Sequence, residues 1–193
     1  MNKSIVFAAL VVFSCGFQGK STVFFDKQFK WKIAVPADFV PMSDEQVQKH
    51  TETGSTAISK ATGTEFESQG EIICIFQKNG MNTFTASYRS YDSTTDGSIS
   101  EICQNTMKII RETYQAQFKG TKADTSSLIE TIDGLVFTVV KIIARLPNQK
   151  TVTMLFYERI IDDKLFSFNI NYVDGKIGAE IIRAWKKSKF IRG

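Results

Sequence analysis

Residues 165–190 read LFSFNINYVDGKIGAEIIRAWKKSKF. The first eight alternate, with Phe166, Phe168, Ile170 and Tyr172 on one side and Ser167, Asn169 and Asn171 on the other. That is the two-residue period of a strand with one apolar and one polar face. Asp174-Gly175 then opens a different rhythm, in which Ile177, Ile181, Ile182, Ala184 and Trp185 recur at helical spacing. A one-sided strand handing over to an amphipathic helix predicts helices packed on an antiparallel sheet, an α+β fold. The face of Ser167, Asn169 and Asn171, which the core does not need, is the expected ligand face, with a groove beside a helix of residues 43–53 as the alternative place for a site.

Moving outward, residues 135–146 and 151–161 complete a three-strand meander with 165–172. The turns fall at Pro147-Asn148 and, more tightly, at Asp162-Asp163, residues that hydrogen-bond their own backbone. Residues 71–77 and 83–91 flank Asn79-Gly80, a strong hairpin signal. Ser98-Ile-Ser-Glu101 is a capping box that opens the longest helix, to about residue 118 before Gly120. Along it Cys103, Met107, Ile110, Tyr114 and Phe118 form a stripe flanked by Ile99, Ile102 and Ile109, a broad face meant for a sheet. Nearer the N-terminus, KWKIAV at residues 30–35 alternates as a half-buried strand ended by Pro36. Ser43-Asp-Glu-Gln46 is a second capping box, opening a polar helix expected to reach about Thr53. Residues 54–64 are small and polar and read as loop with a weak second helix. Residues 23–193 thus form a single α+β domain, an antiparallel sheet flanked by helices.

A strand ending in V-P-A-D-F at residues 35–39 is followed by a hairpin, a long helix and the meander closing on F-S-F-N-I-N-Y. With a last helix ending in K-K-S-K-F, this order resembles the PsbP-like fold group. The resemblance spans about Phe29 to Phe190 and rests on element order, not on a catalytic signature. The group includes a photosystem II extrinsic subunit, a Ran-binding nuclear import factor and many small bacterial secreted proteins and lipoproteins. It implies an α/β/α sandwich serving as a binding or assembly module. No functional residue carries over, because no metal or partner motif of the group is matched here.

The chain has 193 residues, 42% hydrophobic and 23% charged, with three prolines. This composition suits one packed domain and excludes a disordered tail, a collagen and a multi-pass membrane protein. Its 24 basic and 20 acidic residues are too balanced for a nucleic-acid binder. Lys3, the apolar run 5–13 (IVFAALVVF) and the small exit Ser14-Cys15-Gly16 make residues 1–14 a secretory signal peptide. Val12-Phe13-Ser14-Cys15 also looks like a loose lipobox, so that Cys15 becomes a lipidated N-terminus on a tether of residues 15–22. Ordinary cleavage just beyond, after Gly16 or Gly19, is the alternative. Cys74 and Cys103 then remain. A disulfide between them would close a loop of about 30 residues and add about 3 kcal/mol. Two buried free thiols are favoured, since both lie in apolar surroundings and nothing in the spacing fixes disulfide geometry.

Candidate chemistry is thin. Gly16-Phe-Gln-Gly-Lys-Ser21 ends like a phosphate loop but has two residues between its glycines instead of four. Asp92-Ser-Thr-Thr-Asp96-Gly97 begins like a calcium loop, yet Cys103 stands where the bidentate glutamate belongs. His50, the single histidine, lies on the polar helix, away from any nucleophile partner. Asp162/Asp163 belong to a turn, and Glu65/Glu67 read as alternating along an exposed strand edge. Arg183, Lys186, Lys187 and Lys189, joined by Arg192, cluster near the last helix's C-terminus. They complement its dipole and offer a contact for anionic lipid or an acidic partner. No metal site and no cofactor are expected. The reading is an exported, lipid-anchored, non-enzymatic binding or assembly protein of the bacterial cell envelope. It would face the periplasm or the cell surface, with an envelope protein as possible partner. A soluble secreted form is the alternative location. A secreted hydrolase whose site converges only in three dimensions is the alternative function; a deep pocket holding a carboxylate or His50 of strongly shifted pKa would favour it, and a shallow surface with an exposed apolar patch would favour the binding module.

Overall fold

The computed structural model describes residues 22–68 and 70–191. In chain order the elements are β1 (Val23–Asp26), β2 (Trp31–Ala34), β3 (Val40–Pro41), α1 (Asp44–Thr62), β4 (Glu71–Lys78) and β5 (Asn82–Ser90). They continue with α2 (Ile99–Gln117), β6 (Lys122–Ile132), β7 (Leu135–Arg145), β8 (Thr151–Ile161), β9 (Lys164–Tyr172), α3 (Gly175–Lys186) and β10 (Lys189–Phe190). Seven strands form one antiparallel sheet in the order β3-β4-β5-β9-β8-β7-β6, and β1-β2-β10 form a second, small sheet. The predicted α+β class and the sheet–helix layering are what the structure has.

Local chemistry accounts for the long hairpins. Asp133-Gly134 and Asp162-Asp163 are two-residue turns with positive φ throughout (49° and 77°, 47° and 57°). Such mirror-image turns match the twist of the strands they join. Both capping boxes form: the Ser43 and Ser98 hydroxyls accept from the N–H groups of Gln46 and Glu101, whose side chains accept from the cap backbones. Asp174 caps α3 by accepting from Lys176 and Ile177.

The two faces of the large sheet are covered differently. On one face, α3 and the small sheet enclose an aromatic core of Trp31, Phe84, Phe137, Phe166, Phe168 and Trp185. Phe168 and Trp185 stack at 4.0 Å with their planes 7° apart. On the other face α2 seats on Val140, Ile142, Ala144, Val152 and Met154, with Cys103 at their centre. The α2 stripe behaves as expected except at its end, where Phe118 is exposed.

Several expectations need correction. Helix α1 runs unbroken through Gly54 to Thr62 and ends at Gly63 in the left-handed conformation, whose N–H reaches the Ser59 carbonyl. Gly54 reads as a break in the sequence, but its helical penalty of about 1 kcal/mol is outweighed by caps at both ends and packing against α2. Strands β1, β3, β6 and β10 escaped the sequence reading, β3 being two residues long. β1 and β10 are too short to show a period, and β6 has an edge strand's polar composition. Thr22, assigned to the tether, is already tied to the domain, its carbonyl accepting from the Val35 N–H. Lys189 lies on β10 instead of the helix end. Glu65 and Glu67 sit in the irregular segment after α1, not on a strand. Cys74 and Cys103 are free thiols packed on opposite faces of the sheet. Residues 1–21, including the signal segment and Cys15, and Arg192 lie outside the described residues.

Candidate functional site

The α1/α2 side of the large sheet divides into two halves. Register places Thr138, Glu158, Ser167 and Ser87 in one row across β7, β8, β9 and β5. The next rows hold Phe156, Asn169 and Thr85, then Met154, Asn171 and Thr83. The β7/β8 half is therefore mostly apolar and lies under α2, whereas the β5/β9 half is a lawn of hydroxyls and amides. Helix α1 rests on α2 and buries none of its own residues, so it leaves that polar half incompletely covered.

A cleft opens there. One part, an open depression of about 390 Å³, is lined by Arg89, Asp96, Asn105, Thr106, Glu158 and Ser167 together with the apolar Leu165, Ile102 and Ile109. An adjoining open depression of about 720 Å³ shares Arg89 and Asp96 and is bounded by Glu65, Phe66 and Glu67. Both are open to solvent over much of their surface, not enclosed cavities.

Glu158 is the centre of the arrangement. It is 5% exposed and its carboxylate accepts a 2.6 Å hydrogen bond from the Ser167 hydroxyl. Burial pushes its pKa up from 4.5 to about 7, against the smaller opposing effects of the Ser167 bond and the Arg89 charge. Arg89 does not neutralise it directly. Its guanidinium is held by Asp96 at 2.7 Å and by the Ser90 carbonyl at 3.0 Å. Asp96 also accepts the Asp92 N–H, and that bond, ahead of Arg89, keeps its carboxyl below the usual range. The segment that resembled a calcium loop is thus a buttress for Arg89.

Of the expected ligand face, Ser167 lines the cleft. Asn171 is engaged by Thr83, its Nδ2 lying 3.3 Å from the hydroxyl. Asn169, one row on from Ser167, keeps a buried Oδ1 without a partner among the described residues. In the basic cluster, Lys186 pairs with Glu130 at 3.2 Å and Lys189 with Asp133 at 2.7 Å, while Arg183 and Lys187 are exposed. His50 is exposed on α1 and stands apart from the cleft. No group of acidic, histidine or cysteine side chains among the described residues is arranged to hold a metal ion. Sequence reasoning missed Glu158 and Arg89. The available signal was a carboxylate inside the apolar run of β8 (VTMLFYERII), a position that has to be buried.

No family model matches the chain, and no curated protein matches its sequence. Solved structures do. The solution structure of cyanobacterial PsbP (CyanoP) from Synechocystis sp. PCC 6803 is similar over 93% of this chain and 99% of that one, with TM-score 0.56 and 12% identity. The Saccharomyces cerevisiae Ran-binding protein Mog1p covers 90% of this chain and 96% of its own, at TM-score 0.44 and 8% identity, too loose a likeness to bear on function. At 12% identity the first likeness is one of architecture alone, and it agrees with the element order read from the sequence: the chain has a PsbP-like fold.

Proposed function

We propose that this chain is an exported, lipid-anchored binding protein of the bacterial cell envelope, and that the cleft over the polar half of the sheet takes a small polar ligand. The observation that carries the binding reading is the set of side chains at the cleft floor. Glu158, Ser167, Arg89 and Asp96 provide acceptors, a hydroxyl and a guanidinium in about 390 Å³. A ligand with a donor for Glu158 and an acceptor for Arg89 satisfies both. Export and anchoring are supported by Lys3, the apolar run 5–13 and Cys15. They are tested by the intact mass of wild type and Cys15→Ala made in a bacterial host. A chain beginning at Cys15 with acyl groups, lost in the variant, supports the anchor; an unmodified chain cut after Gly16 or Gly19 removes it. The binding reading is tested by thermal shift of wild type, Glu158→Gln and Arg89→Ala against amino acids, polyamines and sugars. A compound that stabilises wild type alone supports the site. Equal responses in all three proteins refute it.

One observation favours a second reading, a hydrolase. Glu158 is a cleft carboxylate whose pKa lies near neutrality, where a general acid or base works best. Against it, Asp96 is already engaged by Arg89, and neither cysteine lines the cleft. Turnover of a chromogenic ester or glycoside that Glu158→Gln abolishes would establish it.

A further inference from the structure

The small sheet covers the aromatic core with one side only, and its other side is unusual. Phe25, Lys32 and Lys189 are in register across β1, β2 and β10. All three point away from the core, since their neighbours Phe24, Trp31, Ile33 and Phe190 point into it. Val23 and Ala34 form the next row. Ile191 continues past β10, its N–H bonded to the Lys30 carbonyl, so an exposed isoleucine and an exposed lysine close the other end. Val23, Phe25 and Ile191 are 62%, 46% and 48% exposed. Lys189 reaches Asp133 yet stays 58% exposed, and Lys32 and Lys30 are exposed too. Apolar side chains interleaved with lysines on one flat face suit neither open water nor a second copy of the same basic surface.

We infer that the outer face of β1-β2-β10 docks on an anionic lipid bilayer, with Phe25, Val23 and Ile191 entering the headgroup region and Lys32, Lys30 and Lys189 meeting its negative charge. Two observations choose lipid as the occupant. The face is basic, which complements an anionic surface. It is also where the chain leaves the domain: six residues lie between Cys15 and Thr22, seven Cα–Cα steps and a reach of about 25 Å at most. A lipid on Cys15 would therefore keep the edge bearing this face within about 25 Å of the membrane. The inference rests on the envelope reading of the function. It places the lipid contact on the small sheet in addition to the end of α3, where Lys186 is paired with Glu130 as Lys189 is with Asp133, and Arg183 and Lys187 stay exposed.

The test places an environment-sensitive fluorophore at Ala34→Cys on this face and, separately, at Gln48→Cys on exposed α1, in the full chain. Any label on Cys15 is common to both, and Cys74 and Cys103 are packed inside. Vesicles of phosphatidylcholine with phosphatidylglycerol, or of phosphatidylcholine alone, are added from outside, so that the reading does not depend on lipidation. A blue shift at position 34 but not 48, with anionic vesicles only, is expected. Lys32→Glu is expected to weaken vesicle binding on the order of tenfold, and Phe25→Ser to remove the shift, both with unchanged melting temperatures. Emission at 34 that stays as in water, or equal shifts at 34 and 48, overturns the inference. An acylated chain that sediments with membranes yet gives no shift at 34 overturns docking while leaving the anchor intact. An unacylated chain that still shifts on anionic vesicles does the reverse.

Discussion

Replacing Glu158 by Gln changes one charge and almost no volume, and it isolates what the buried carboxylate does to stability. In the folded chain the carboxyl's pKa is raised from 4.5 to about 7, so ionising it there costs about 3 kcal/mol more than in the unfolded chain. The sign follows from linkage. A raised folded pKa means that folding favours the proton, so this contribution is fully present below about pH 4.5, declines between about 4.5 and 7, and is absent above. Glutamine stays neutral throughout, and its carbonyl can still accept from the Ser167 hydroxyl. Glu158→Gln should therefore match wild type within about 1 kcal/mol at pH 5 and exceed it by about 2–3 kcal/mol at pH 8.5. Urea denaturation followed by fluorescence measures both, because Trp31 and Trp185 are fully buried and report global unfolding. The charged and titratable neighbours are Arg89 on β5, Asp96 before α2 and Cys103 on α2, and the difference between the two proteins cancels their own titrations where they are uncoupled. A difference that does not change with pH, or a variant that falls behind wild type above pH 7, would refute the assignment of Glu158 as a buried acid.

Gly178→Ala should destabilise the fold by about 1–3 kcal/mol, because an added Cβ would sit 2.5–2.7 Å from three carbons of the Tyr172 ring. The helix-propensity gain of about 1 kcal/mol opposes this, so a melting temperature above wild type would show that the ring moves aside freely. Burial pushes the Cys74 thiol up to about 12 and the Cys103 thiol up to about 11. Neither should react with a water-soluble disulfide reagent at pH 8 until urea unfolds the chain, and rapid labelling of either in the native protein would contradict its packing.

How much was legible beforehand depended on whether a segment's own chemistry or its neighbours decided its fate. Ser43 and Ser98 announce their helices because the capping bonds are local, and Asn79-Gly80 announces its hairpin for the same reason. The alternation of residues 165–172 was equally clear, since one face of β9 meets Trp185 and Trp31. β6 was not legible. KADTSSLIETI carries few apolar residues and is held by β7, its one strand partner, through the tight Asp133-Gly134 turn. The continuity of α1 through Gly54 was hidden too, because what sustains it is the Gly63 cap and contact with α2, both remote from the glycine.

The cleft illustrates the same division more sharply. Ser167 was visible as part of a polar face, but Glu158 lay in a strand whose neighbours Tyr157 and Leu155 face the aromatic core. Its meaning comes from pairing: β8 sets it opposite Ser167 on one side and Thr138 on the other, in a row that α2 partly roofs. Burying a carboxylate there is costly unless something repays it, and a well-packed apolar residue of similar size would be more stable at neutral pH. Asn169, with its unpartnered buried oxygen one row away, is a second such cost on the same face. Arg89 is meanwhile held beside Glu158 by Asp96 instead of pairing with it. A buried carboxylate, an amide oxygen without a partner and a cation kept aside are a poor design for stability alone. They suit the polar ligand proposed for the cleft, whereas the aromatic core on the other face carries the fold.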